Sequence, residues 1–93
     1  MKKKIVVFTC GCFDLFHAGH LKVLEESKKF GDYLIVGISS DNVIRKAKGK
    51  GRPIIPQDKR VKIVSALGFV DEVVIGTKKT FVDLILKINC YRI

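Results

Sequence analysis

Apolar residues fall along this chain in short unbroken runs, separated by stretches in which they return every three or four positions. Ile5-Val6-Val7-Phe8 is such a run and predicts a buried strand over Lys4 to Thr9. Leu21 and Leu24 stand at helical spacing and predict a helix over Gly19 to Phe30, with Gly31 as its C-terminal stop. Tyr33 to Ser39 reads as a second strand, and Asp41 to Arg45 as a short helix with Asp41 as N-cap. Lys46 to Ile55 carries Gly49, Gly51 and Pro53 among basic residues and reads as a loop. Pro56 can open the next helix at its first position, where Ile63, Val64 and Leu67 would face the core. Glu72 to Ile75 predicts a third strand. Phe81 to Ile88 predicts a last helix with Phe81, Leu84, Ile85 and Ile88 on one face. Asn89 to Ile93 reads as a loop and the start of a fourth strand, Tyr91-Arg92-Ile93.

Strands alternating with helices imply βαβ units, right-handed crossovers and a parallel sheet, hence an α/β fold. Ninety-three residues make one domain, 1–93, near the small end of what folds alone. In an open α/β sheet the ligand sits beyond the carboxyl ends of the strands. Gly11 to His20 follows the first strand and Ser39-Ser40-Asp41 the second, so both fall on the ligand side.

Composition narrows the function classes. A hydrophobic content of 47% argues against disorder. No apolar run approaches the roughly 20 residues that span a bilayer, which excludes a membrane helix. Met1-Lys2-Lys3-Lys4 is followed by too short an apolar run for a signal peptide, so the expected location is cytoplasmic. An odd count of cysteines, Cys10, Cys12 and Cys90, fits reduced thiols. Cys10-Gly11-Cys12 lacks a second pair to complete a metal site and reads as small buried residues at a strand end.

The formal net charge is +9, and it is not spread evenly. Arg45, Lys46, Lys48, Lys50, Arg52, Lys59, Arg60 and Lys62 share their segment with a single acid, Asp58. Such a patch suits anions. It has no interleaved aromatics and no recognition motif, which argues against nucleic acid as the partner.

The candidate chemistry lies in Gly11-Cys12-Phe13-Asp14-Leu15-Phe16-His17-Ala18-Gly19-His20. Two histidines three residues apart at a helix start add side-chain donors to the unpaired N–H groups and positive end of the helix, an arrangement suited to phosphate. The pair supplies no evident third ligand for a metal. Gly19 between them would let a ligand approach the backbone. Asp14 could cap the helix, and Arg60 could be a plain surface residue. Asp71 and Glu72 read as a turn entering a strand rather than a site.

This segment resembles the signature of the cytidylyltransferase-like nucleotidyltransferases, which carry a His-x-Gly-His motif. Gly31-Asp32-Tyr33-Leu34-Ile35-Val36-Gly37 with Ser39-Ser40-Asp41, Lys46-Ala47-Lys48-Gly49, Arg52 to Arg60, and Val70-Asp71-Glu72-Val73-Val74 resemble further segments of that family in order. The resemblance implies a Rossmann-like parallel sheet with helices on both faces. It implies a reaction in which a substrate phosphate attacks the α-phosphate of a nucleoside triphosphate and pyrophosphate leaves. By position it implies catalytic roles for His17, His20 and Lys46. It implies nucleotide binding by Gly11, Cys12, Phe13, Asp14, Gly19, Lys48 and Arg60, the last near the nucleotide or a subunit interface. Mg2+ is the implied cofactor, with no protein-held metal site, and a homodimer is the implied assembly.

Gly31 to Gly37 is similar to cytidylyltransferases for glycerol 3-phosphate and phosphoethanolamine. Arg52 to Pro56, and Ala66-Leu67 with Val70-Asp71, are similar to archaeal adenylyltransferases that make FAD and to heptose-phosphate adenylyltransferases. CTP with a phosphorylated small molecule such as glycerol 3-phosphate is the expectation. ATP with FMN or a sugar phosphate is the alternative, and a nucleotide-binding module without turnover is another. The family continues into an Arg-x-x-x-Ile-Ser-[ST]-[ST] segment not found in these 93 residues, so the domain is expected to lack its C-terminal segment.

Overall fold

The computed structural model describes residues 5–88 and 90–92, so the expectations that fall on Lys4, Asn89 and Ile93 lie outside the described residues. The elements run β1 (Val6–Gly11), α1 (Ala18–Lys28), β2 (Tyr33–Ser39), α2 (Asp41–Lys48), α3 (Gln57–Ser65), β3 (Glu72–Gly76), α4 (Lys78–Ile88) and β4 (Tyr91–Arg92). The strands form one parallel sheet in the order β3-β2-β1-β4.

That order determines which face each helix covers. From β1 to β2 to β3 the chain steps in one direction, and from β3 to β4 it steps back past β1. Right-handed crossovers therefore put α1 and α3 on one face and α4 on the other. The two cores follow. Val7, Leu34, Val36 and Ile38 pack with Leu24 of α1 and Val64 of α3. Phe8 and Ile35 pack with Phe81 of α4, joined by the partly buried Leu84, Ile85 and Ile88. Because β1 and β2 are covered on both faces, they appear in the sequence as unbroken apolar runs.

Several boundaries and packing roles differ from the sequence reading. α1 stops at Lys28 with Lys29 as a right-handed C-cap, so Gly31 is not the stop. A Cβ on Gly31 would lie 2.7 Å from the Ile5 carbonyl oxygen, and the close approach of β1 is what requires glycine there. The N-cap of α2 is Ser40, whose Oγ accepts from the Val43 N–H, and not Asp41. α2 also runs on to Lys48, which takes Lys46 out of the loop. Pro56 is the N-cap of α3 and not its first residue. On α3 Val64 is buried, but Ile63 is 40% exposed and Arg60 is fully buried. Residues 60, 64 and 67 share a face at helical spacing, and Ile63 stands at its margin. Cys10 is exposed and Cys12 partly exposed, so neither is the buried residue expected at the strand end.

Candidate functional site

After β1 the chain turns sharply. Phe13 and Leu15 both adopt left-handed backbone angles, φ 54° and 52°. Non-glycine residues hold such angles only where their surroundings impose them. The turn delivers His17 as the N-cap of α1 in an extended conformation. Its Nδ1 accepts from the Gly19 N–H at 3.0 Å, and His20 Nδ1 accepts from the His17 N–H at 3.1 Å. This is a reciprocal capping box built from two imidazoles.

The cap sets the chemistry of the pair. A ring that accepts through Nδ1 carries its proton on Nε2, so each neutral ring keeps one N–H donor for a ligand. The ring centroids are 4.0 Å apart. His20 also packs against Phe13 and Phe16, at 5.5 Å and 5.3 Å. Burial first, and the neighbouring His17 second, hold the His20 imidazole below its ordinary pKa. The space a Cβ would fill on Gly19 is taken by the His17 ring, 2.8 Å from Cε1. Gly19 thus admits the cap rather than a ligand.

Beside the pair lies a cavity of about 280 Å³. It is lined by the end of β1 and the turn after it, residues 9–14, with His20 and Val23 of α1, Lys48 of α2 and Arg52. Lys48 Nζ lies 3.8 Å from Cys12 Sγ.

Two buried charged residues tie this region together: Asp14, which borders the cavity, and Arg60. Asp14 Oδ2 accepts from the Ile54 N–H at 2.9 Å and from Arg52 Nε at 3.2 Å, and Oδ1 accepts from the Ile55 N–H at 2.8 Å. Burial by itself would raise the Asp14 carboxyl; those amides, with Arg52, hold it below the usual carboxylate range. Arg60 donates through Nε to the Ile55 carbonyl and through Nη1 to the carbonyls of Cys12 and Ser39. Its Nη2 meets Asp41 Oδ1 at 2.6 Å.

With this geometry the comparisons can be read. A family model described as cytidylyltransferase-like matches residues 8–91, from β1 to β4. The chain belongs to the cytidylyltransferase-like family. It is 52% identical over 87 residues to the bifunctional protein HldE of Campylobacter concisus (strain 13826), covering 94% of this chain and 18% of that protein. It is 49% identical over 82 residues to HldE of Geobacter sulfurreducens, covering 88% of this chain and 17% of that one. The chain thus spans about a fifth of the length of these curated relatives. A crystal structure of the lipopolysaccharide core biosynthesis protein from Thermoplasma volcanium GSS1 superposes with a TM-score of 0.83 at 31% identity, covering 95% of this chain and 70% of that one.

Most of the residues expected from the sequence lie at or beside this cavity. Gly11, Cys12, Phe13, Asp14, His20 and Lys48 line it, and His17 is stacked on His20. Lys46 does not line the cavity: two residues along a helix are about 200° around its axis, so Lys46 and Lys48 diverge. Asp14 does not cap α1; His17 does. Arg60 is neither a surface residue nor in reach of a ligand, because it is 0% exposed. Arg52 was read only as one charge of the basic patch, and it belongs to the cavity wall. Its partner Asp14 is 38 residues away, and no local spacing announces such a pair.

Among the described residues no three His, Cys, Asp or Glu side chains are grouped to hold a metal ion. No helix among them is long and apolar enough to cross a membrane.

Proposed function

We propose that this domain binds a nucleoside triphosphate with its phosphates in the cavity beside His20 and transfers the nucleotidyl group to a phosphorylated small molecule. An oxygen of the acceptor phosphate bonds to the α-phosphorus, the bridge to the β-phosphate breaks, and pyrophosphate departs. Such transfer asks little covalent chemistry of the protein. It asks for positioning and for donors where negative charge grows. The observation that carries the reading is the reciprocal cap: it holds both imidazoles at a helix start with Nε2–H as the remaining donor of each. Lys48 and Arg52 face the same space with fixed positive charge.

For the nucleotide and acceptor, we favour ATP and a sugar phosphate over the initial expectation of CTP and glycerol 3-phosphate. Support comes from the relatives about half identical to this chain, all named bifunctional protein HldE, and from the likeness to a lipopolysaccharide core biosynthesis protein. A saccharide core is extended from nucleotide-activated sugars, the product such a reaction would give. CTP is the second reading, favoured by the similarity of residues 31–37 to cytidylyltransferases. Mg2+ would arrive on the triphosphate. Asp14, the carboxylate bordering the cavity, is already committed, since both its oxygens accept from the chain or from Arg52.

Calorimetric titration with ATP and with CTP, each with magnesium, tests this. ATP should bind more tightly, and His20→Ala should weaken it by about tenfold or more. Pyrophosphate release should then require a sugar phosphate. Tighter CTP binding would replace the nucleotide reading, and failure of both to bind would overturn the proposal.

A further inference from the structure

Asp14 and Arg60 join two segments that are distant in sequence. One is the turn after β1, residues 12–15, and the other is the end of the basic loop, residues 52–55. Ile55 is held from both sides: its N–H donates to Asp14 Oδ1, and its carbonyl accepts from Arg60 Nε. Arg60 in turn holds the Cys12 carbonyl. Asp14 adds the Ile54 amide and Arg52. The Asp14 side chain is 1% exposed, against 37% for Arg52. Its carboxylate oxygens are therefore taken up by the basic loop, although the residue borders the cavity. The left-handed angles of Phe13 and Leu15, on either side of it, turn the backbone so that Asp14 points inward.

We infer that Asp14 is a positioning residue: it clamps the end of the basic loop to the histidine turn and thereby holds Arg52 on the wall of the cavity that His20 also lines. This rests on the reading of the cavity as a phosphate site and replaces the expectation that Asp14 touches the nucleotide. Lys48 is held separately, as the last residue of α2, and Gly49 and Gly51, at φ 91° and 88°, lie between it and Arg52. Without the clamp, those glycines leave the loop free to swing Arg52 away from the histidines.

The two roles predict opposite signs for a bare anion. A carboxylate facing a phosphate repels it when no divalent cation is present. Removing that carboxylate would tighten the binding. Removing a clamp that aims a cation at the phosphate loosens it.

The probe is inorganic tripolyphosphate without divalent metal, titrated calorimetrically into the full chain and into Asp14→Asn, Arg52→Ala and the double variant. The clamp predicts about tenfold weaker binding for Asp14→Asn. It also predicts that Arg52→Ala adds less than about twofold on that background, against about tenfold alone, because the arginine is no longer aimed. Tighter binding by Asp14→Asn, or losses that multiply in full, would overturn it. The unaltered chain supplies a second test that does not depend on a variant folding. Saturating tripolyphosphate should slow amide hydrogen exchange at Ile54 and Ile55, and unchanged rates there would overturn the clamp. If the unaltered chain does not bind tripolyphosphate, the phosphate-site reading fails and takes the clamp's function with it. If it binds but the variant signs are reversed, the clamp alone fails.

Discussion

A histidine in this site performs two tasks with two nitrogens. Nδ1 satisfies a helix N-terminus that would otherwise leave donors unpaired, and Nε2 keeps a donor for the ligand. Protonation joins these tasks, because an imidazolium has no acceptor left. His20 Nδ1 would then repel the His17 N–H instead of receiving it. Burial among Phe13 and Phe16, and then the nearby His17, lower the His20 pKa, so the neutral form is the one the fold selects. For a depressed folded pKa the unfolded chain takes up its proton first as pH falls. Stability should be undiminished above about pH 6.5, the free-imidazole value, and should decline below it toward the depressed folded value. NMR titration of the His20 Cε1 proton should give a midpoint below that of a free imidazole. A midpoint at or above the free value would contradict the burial and charge argument.

Among the elements, α3 departs most from its apolar pattern. The pattern of Ile63, Val64 and Leu67 indicated a helix with a core face, and the helix is there. What the pattern hid is that a position on that face is Arg60. A buried arginine is invisible to hydrophobic periodicity, because its burial depends on acceptors supplied from elsewhere: Cys12 after β1, Ser39 at the end of β2, Asp41 in α2 and Ile55 before α3. Those partners come together only when the sheet has formed. The strands β1, β2 and β3 were readable for the opposite reason, since each carries its own apolar run. Arg60→Leu fills the space but leaves three carbonyls and the Asp41 carboxylate without their donor. Truncating one partner of a buried, hydrogen-bonded charge network costs about 3–5 kcal/mol. Urea unfolding should show a loss of that order, with the same slope against urea if the folded state keeps its compactness. A loss under about 1 kcal/mol would mean that water replaces the guanidinium at little cost.

Across the whole molecule the site lies where the strand order reverses and where the positive charge gathers. The sequence disclosed the second, through the eight bases and one acid between Arg45 and Lys62, but alternation of element types shows a parallel sheet without its strand order, which the fold supplies. It could not disclose how those charges divide. Arg60 is consumed inside the protein and Arg52 is shared with Asp14. Lys48 lines the cavity, while Lys59 and Lys62 are exposed on α3 and do not. Charges of this last kind act at a distance. They raise the local concentration of an anion and speed its arrival, but they do not hold it once bound. Replacing Lys59 and Lys62 together by glutamine should therefore slow the association of tripolyphosphate about two- to fivefold at low ionic strength and leave its dissociation rate unchanged. The difference should vanish near 1 M salt, where the screening length is about 3 Å. Stopped-flow measurements across a salt series separate the two rates. A change in dissociation that persists at high salt would mean that α3 touches the anion directly, and the site would then extend beyond the cavity along the basic face.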